Sequence, residues 1–434
     1  MTRIVLVGAG SVEFTRNLLG DILSFPALRD AELVLHDIDP ERLRTAERMA
    51  AWTANALGAT PVISASLDRL EALTGADFVI NTIQVGGARA TQVDFDIPAR
   101  YGLKYTINDT INVGGVLRGL RTMPVVLGIA ADMAEACPDA LFLNYTNPMG
   151  MLVRAVDDAI GFPTVGLCHS VYWTVDTLAG YVGVPAAEVD ALSAGVNHLA
   201  WILRLEHRGR DLYPDLDKFV REGTVPDDDL VRADLYRRFG FYPTESSEHH
   251  AEYNPWFIPK GQVERFNIPI GEYLTRVARN LDEFAETKRM LAAGEPFEIE
   301  QSGEYAAVII NSVVTGELSR IVGNVPNRGV LIPNLAADAC VEVPCLVDAF
   351  GPRPVAPGPL PPQLAAYIHP AIDAQGLTVR AVIEHDRDAI YHAVMQDPQV
   401  QARLTLDQTW QMTDDLISAE AAWLPAWLDG TAPA

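Results

Sequence analysis

Residues 1–11 read Met1-Thr2-Arg3-Ile4-Val5-Leu6-Val7-Gly8-Ala9-Gly10-Ser11. An apolar strand runs straight into a Gly-x-Gly turn, and the next apolar run, Leu33-Val34-Leu35-His36-Asp37, closes on a carboxylate. Together they form the front half of a dinucleotide-binding unit. The turn needs glycine so that backbone can approach a pyrophosphate, and the helix that follows offers its N-terminus to the phosphates. Asp37 stands at about the ~20-residue offset expected of a carboxylate that binds ribose hydroxyls. The place of the usual third glycine is taken by Glu13. Gly8, Gly10, Ser11 and Asp37 are therefore candidate contacts to NAD.

Outward from this turn, short apolar strands alternate with helical stretches, the signature of a doubly wound parallel sheet. Strands are expected at Ile4–Val7, Glu32–Leu35, Pro61–Ile63, Phe78–Ile80, Leu141–Leu143 and Thr164–Leu167, with the clearest helices at Pro40–Leu57 and Val116–Ala136. Ligands of such sheets bind beyond the carboxyl ends of the strands. Four of those ends are polar: Gly8-Ala9-Gly10, Asn81-Thr82-Ile83-Gln84, Asn144-Tyr145-Thr146-Asn147-Pro148 and Cys168-His169-Ser170-Val171. The topology brings them to one crevice, which makes Asn81 a further candidate contact to the dinucleotide. The pattern changes near residue 195. A strand at Val196–Glu206 is followed by helices at about Asp227–Phe239, Gly271–Ala292 and Glu304–Thr315, and a β-like region covers Arg320–Val347. Pro352–Pro362 reads as a rigid surface loop, and helices at Leu377–Gln396 and Leu406–Leu424 close the chain. The expected fold is α/β: a Rossmann-type N-terminal domain, 1–195, with a mixed α+β domain, 196–434, as in lactate and malate dehydrogenases.

The chain has 434 residues, 49% of them hydrophobic, and carries 57 acidic against 33 basic residues for a formal net charge of −24. Nucleic acids and anionic membranes want basic patches, so neither is an expected partner. No apolar run reaches the ~18 residues that span a bilayer, and the opening strand leaves no room for a cleavable signal, so a cytoplasmic location is expected. Cys137, Cys168, Cys340 and Cys345 lack disulfide-framework spacing.

Five segments carry chemistry. Cys168 and His198, from neighbouring chain segments at the ligand-facing end, suit one divalent ion with positions left open for substrate oxygens; a core cysteine beside a hydrogen-bonded histidine would account for the same residues. Asn147, held extended before Pro148, presents its amide at a strand end. In Asn108–Thr122, paired glycines precede Arg118 and Arg121 at a helix start, where cations are unfavourable without a partner. For Arg118 that partner is a substrate hydroxyl or a carboxylate such as Asp109. The run Tyr242–Tyr253, with His249 and His250, is dense enough in ionisable groups to supply a general base.

The set Gly8–Ser11 with Phe14-Thr15, Asn144–Pro148, Cys168–Val171 and Gly195-Val196-Asn197-His198 resembles glycoside hydrolase family 4, the NAD- and manganese-dependent glycosidases. Cys168-His169-Ser170-Val171, with Pro243-Thr244-Glu245-Ser246-Ser247 downstream, resembles the α-galactosidase branch, although glycine is common there where this chain has Glu248. The resemblance implies a route outside the usual pair of carboxylates. C3 of the sugar is oxidised by NAD, the C2 proton is removed, the leaving group is eliminated, water adds, and the hydride returns. It implies Mn2+ or another divalent transition metal on Cys168 and His198, and Asn147 on the sugar hydroxyls. A tyrosine is implied as base, Tyr242 by approximate position, with His169 as acid to the leaving group and Asp109 a candidate to share the proton transfer. Arg118 and His249 are candidate sugar contacts. The expected partner is a small saccharide, and the expected assembly a homodimer or homotetramer. Alternative specificities are α-glucosidase, α-glucuronidase and α-galacturonidase. A lactate/malate-type dehydrogenase would share the first domain, and a redox-sensing module would leave Cys168 and His198 unexplained.

Overall fold

Strand β1, Arg3–Val7, is apolar on both sides because it is covered on both sides. Ile4 and Leu6 point into one buried cluster, and Val5 and Val7 into another. A computed structural model describes residues 1–429 apart from Thr224, Phe297, Glu300 and Gln301. Strands β2 (Glu32–His36), β3 (Val62–Ser66), β4 (Phe78–Asn81), β5 (Leu141–Asn144) and β6 (Thr164–Gly166) follow, all parallel, in the spatial order β3-β2-β1-β4-β5-β6. This is the dinucleotide-binding order, with its switch point between β1 and β4. Val7 pairs with Asn81, Asn81 with Asn144, and Asn144 with Gly166, so the polar strand ends lie side by side on one edge.

The expected boundary at residue 195 does not interrupt the sheet. Ser319–Pro326 pairs antiparallel with β6 through Asn324 and Gly166, and Cys340–Asp348 and Gly351–Pro354 follow, making nine strands in all. The proline-rich stretch expected as a loop thus begins as an edge strand, where a missing N–H costs no ladder bond, and a helix already starts at Pro362. The helix expected over Leu377–Gln396 is two helices, Pro362–Glu384 and Arg387–Val394, parted by His385 at φ 55° and capped by Asp386, which accepts from the Ala389 N–H. Helix Val113–Ala136 is long and apolar enough to cross a membrane, yet 78% of its apolar window is buried within the fold, as in a core helix.

A second sheet pairs Val189–Ala194 with Trp201–His207 and adds Tyr242–Pro243. The strand expected from Val196 therefore begins at Trp201, and the intervening residues form a hairpin loop. Gly195 is needed there: its φ is 158°, and a Cβ would sit 2.5 Å from Ala200 Cα. A backbone bridge from Gly195 to Glu342 fastens this loop to the large sheet.

Candidate active site

The dinucleotide turn is made of backbone. Gly8 and Ala9 donate to the His36 carbonyl at 2.9 and 3.0 Å. Gly8 has φ 86°, and a Cβ on it would come within 2.8 Å of the Ile83 nitrogen, so only glycine lets the turn pack against the backbone that follows β4. Gly10 N–H donates to Asp37 Oδ2 at 2.7 Å, and Arg42 Nη1 to the Gly10 carbonyl at 3.0 Å. Asp37 also accepts from Asp39 N–H at 2.9 Å, and a carboxylate with two such bonds retains lone pairs for ribose hydroxyls. Ser11 is the N-cap residue of helix Val12–Ser24 and makes no capping bond with its side chain. Asn81 is buried at the end of β4, donating to Asn144 Oδ1 at 2.8 Å and Thr146 Oγ1 at 3.2 Å, while its own Oδ1 has no partner among the described residues. That orphaned acceptor and the glycine cradle fit a ligand with polar hydrogens.

The second part is made of side chains. Cys168 follows β6, and His198 lies in the hairpin loop at φ 64°. Cys168, His198 and Glu245 bring their donor atoms within 4.8 Å of one another, and so do Asp109, His198 and His249. Sulfur, imidazole nitrogen and carboxylate oxygen together suit a borderline divalent transition metal. Burial, with Glu245 and Glu342 adding to it, holds the Cys168 thiol well above its usual range, so the thiolate needs a cation among these groups. Burial likewise disfavours protonated His198. Burial would raise Glu245, but His198, His249 and His169 outweigh it and bring the carboxyl down to about 2. His249 is held by Ser246 Oγ at 2.8 Å and Glu245 Oε1 at 3.2 Å, with its ring edge-on to His198 at 4.7 Å.

The wall facing this cluster is the loop before helix Val113–Ala136. Glu252 fixes it, accepting from the N–H groups of Thr106, Ile107 and Asn108 at 2.8, 3.1 and 2.9 Å. Asp109 then accepts from Arg118 Nη1 at 3.3 Å, Asn147 Nδ2 at 3.4 Å and Thr110 Oγ1 at 2.6 Å. Burial pushes Asp109 up, yet Arg118, His198 and His249 more than offset it, and its carboxyl stays below the usual range. Arg118 also donates to the Tyr273 hydroxyl at 2.8 Å. Its partner in the protein is thus Asp109, one of the two expected alternatives. Arg121 is not in the wall; it is buried between Asp94 and Glu420.

Cys168, His198, Asp109, Asn147, Arg118 and His249 are brought together, with His169 beside Cys168 in the chain. His169 contacts the Glu304 carboxylate, Nδ1 to Oε1 at 3.0 Å. Tyr242 is not brought in. It packs in the apolar cluster of the second sheet, fully buried, with its hydroxyl donated to Asp229 at 2.6 Å and Arg232 over its ring. The tyrosine that reaches the cluster is Tyr253, 3.4 Å from His198 Nδ1. Helix Ser247–Glu252 intervenes between the two tyrosines and turns the chain back toward the cluster. Sequence inspection also missed Glu245 as a donor and Glu304 as the partner of His169. Glu245 carried one signal, its place in the Tyr242–Tyr253 run dense in ionisable groups.

Comparison with known proteins bears on this arrangement. The chain matches the family models for Family 4 glycosyl hydrolase over residues 3–184 and for the Family 4 glycosyl hydrolase C-terminal domain over residues 193–400. It is 40% identical to an alpha-galactosidase of Bacillus subtilis (strain 168), covering 98% of this chain and 100% of that protein. It is 36% identical to an alpha-galactosidase of Rhizobium meliloti (strain 1021), covering 98% and 89%. An alpha-galacturonidase of Lachnoclostridium phytofermentans is 27% identical, covering 98% and 97%. The crystal structure of a 6-phospho-alpha-glucosidase from gut microorganisms in complex with NAD and Mn2+ superimposes with a TM-score of 0.81 at 20% identity, covering 98% and 99%.

Proposed function

The chain belongs to the family 4 glycosyl hydrolases, and from that premise we propose that it is an α-galactosidase dependent on NAD and a divalent metal. The observation that carries this is the Cys168–His198–Glu245 cluster, on the same sheet edge as the glycine turn. The galactoside preference is supported by 40% and 36% identity to alpha-galactosidases, against 27% for an alpha-galacturonidase.

When bound, NAD supplies a hydride acceptor and donor, and the metal supplies Lewis acidity toward sugar oxygens. Gly8, Gly10, Ser11 and Asp37 would receive the dinucleotide, with Asn81 buried at the end of the adjacent strand β4. Cys168, His198 and Glu245 hold the metal, and His249 props Glu245 and His198. Asn147 Nδ2 and Arg118 Nη1, now on Asp109, are the donors that turn to sugar hydroxyls, and Asp109 is the acceptor. Tyr253 Oη takes the C2 proton in place of Tyr242. Burial, with Glu252, Asp109 and Glu245 adding to it, keeps this phenol protonated in the chain alone, so its action as a base requires positive charge beside it. His169, oriented by Glu304, gives a proton to the leaving oxygen.

The test is a panel of para-nitrophenyl glycosides with NAD, manganese and a thiol reductant, contrasting α-galactoside with α-glucoside, α-glucuronide, α-galacturonide and 6-phosphoglucoside. Nitrophenol release without net change at 340 nm is expected, together with product carrying solvent deuterium at C2. Full activity after removal of NAD and metal, or product free of deuterium, would overturn the mechanism. A higher kcat/KM on another sugar would overturn the substrate.

A further inference from the structure

Beyond Asp109 and Arg118, the wall holds an ion pair that no step above uses. Glu248, on helix Ser247–Glu252, accepts through Oε1 from Arg276 Nη2 at 3.3 Å. Arg276 sits one turn along helix Glu272–Ala293 from Tyr273, whose hydroxyl accepts from Arg118. A second carboxylate, Glu272, takes Arg276 Nε at 3.2 Å. The guanidinium therefore lies between two carboxylates, one from its own helix and one from the helix that carries His249. Both backbones are fastened to the wall loop: Thr106 Oγ1 donates to the Glu248 carbonyl at 2.7 Å, and Tyr273 N–H donates to the Thr106 carbonyl at 3.0 Å. The side chains of Arg276 and Glu248 are 33% and 18% exposed, so their charges are only partly screened by water.

We propose that Glu248 sets the charge preference of the sugar pocket by adding a second carboxylate to Arg276, which Glu272 already pairs. This rests on reading the site as one for an uncharged galactoside. An unpaired Glu248 facing the pocket would repel acidic sugars. The structure gives it a partner, and the pair acts differently. With Glu248 in place, Arg276, Glu248 and Glu272 carry one net negative charge. Without Glu248 the group is neutral, one unit more positive, and a substrate carboxylate meets less repulsion. Galactosides and galacturonides differ at C6, as a hydroxymethyl or a carboxylate, so the pair bears on the distinction that separates alpha-galactosidases from alpha-galacturonidases among the relatives.

The test compares kcat/KM on para-nitrophenyl α-galactoside and α-galacturonide for wild type, Glu248→Gln, Glu248→Gly, Arg276→Ala and Glu248→Gln/Arg276→Ala. The ratio of the two constants cancels any loss of folded enzyme. Both Glu248 variants should move the ratio toward the galacturonide by about tenfold, less at high ionic strength. The double variant should return it close to wild type, and Arg276→Ala alone should move it the other way. An unchanged ratio in both Glu248 variants, or a shift that survives loss of Arg276, would overturn the proposal. The wild-type profile separately tests the galactoside reading; if wild type prefers the galacturonide, that reading falls, while the change in ratio still decides the role of the pair.

Discussion

The dinucleotide turn and the Cys168–His198–Glu245 cluster share one sheet edge but are built from different material. The turn is backbone: Gly8 packs against the Thr82–Ile83 backbone and Gly10 against Asp37 and Arg42, and the His36 carbonyl holds the Gly8 and Ala9 N–H groups. The cluster is side chain throughout, assembled from segments as far apart as Asp109 and Tyr253. A site of the first kind tolerates changes in side chains around it. A site of the second kind fails when one donor is lost. The two should therefore be separable by mutation.

Loss of a metal donor makes the sharpest test. Cys168→Ser and His198→Ala should each lower kcat by about a thousandfold or more, while NAD affinity, measured by titration calorimetry, stays within about threefold. Loss of NAD binding in either variant would break the separation. The next test sets two tyrosines against each other. Tyr253→Phe should lower kcat by about a hundredfold or more. Tyr242→Phe should leave kcat within a few-fold and lower Tm modestly instead, because it removes one donor from the buried Asp229 carboxylate, which keeps Tyr181 and Arg232. The reverse order would restore Tyr242 as the base. For the turn itself, Gly8→Ala should weaken NAD binding about tenfold or more, with metal affinity unaffected, since φ 86° and a 2.8 Å approach both penalise a Cβ.

The smallest effect is one of stability. Glu342 is buried beneath the hairpin loop, with Asn324 Nδ2 at 3.1 Å and Asn197 Nδ2 at 3.5 Å as its donors, and burial pushes its carboxyl up to about 7. A raised folded pKa means that its stabilising contribution is complete below the unfolded value and fades as pH rises through about 7. Glu342→Gln should therefore gain Tm relative to wild type between pH 5 and pH 8, by a few degrees. A constant difference across that range would show that Glu342 does not change protonation there.

The same contrast explains what the sequence disclosed. The β1 turn, the acidic end of β2 and the helix Pro40–Leu57 are local patterns, and each stands where sequence spacing puts it. Cys168 and His198 were visible because each closes or follows a strand. Tyr253 was not, because a single helical turn after Ser246 decides whether it or Tyr242 faces the cluster, and no periodicity within so short a segment distinguishes them. Glu304 was hidden for another reason: its partner His169 lies far away in sequence, and only the packing of the helix that begins at Tyr305 brings them together. The division at residue 195 was read from a change of pattern, yet pattern says nothing about which strands later rejoin an earlier sheet.

That rejoining limits how the molecule can move. Ser319–Pro326 is hydrogen-bonded to β6, and the bridge from Gly195 to Glu342 ties the His198 loop to the same sheet. Two lobes joined by a flexible connector can swing apart to admit a substrate. Here such a swing would break the pairing of Asn324 with Gly166 and the bridge from Gly195 to Glu342. At the rim, helix Glu272–Ala293 has Thr287 as its one buried side chain, yet its first turn is fastened to the wall through the Tyr273 N–H and hydroxyl. The glycine turn and the Cys168 sulfur thus stand on one continuously paired floor, β1-β4-β5-β6.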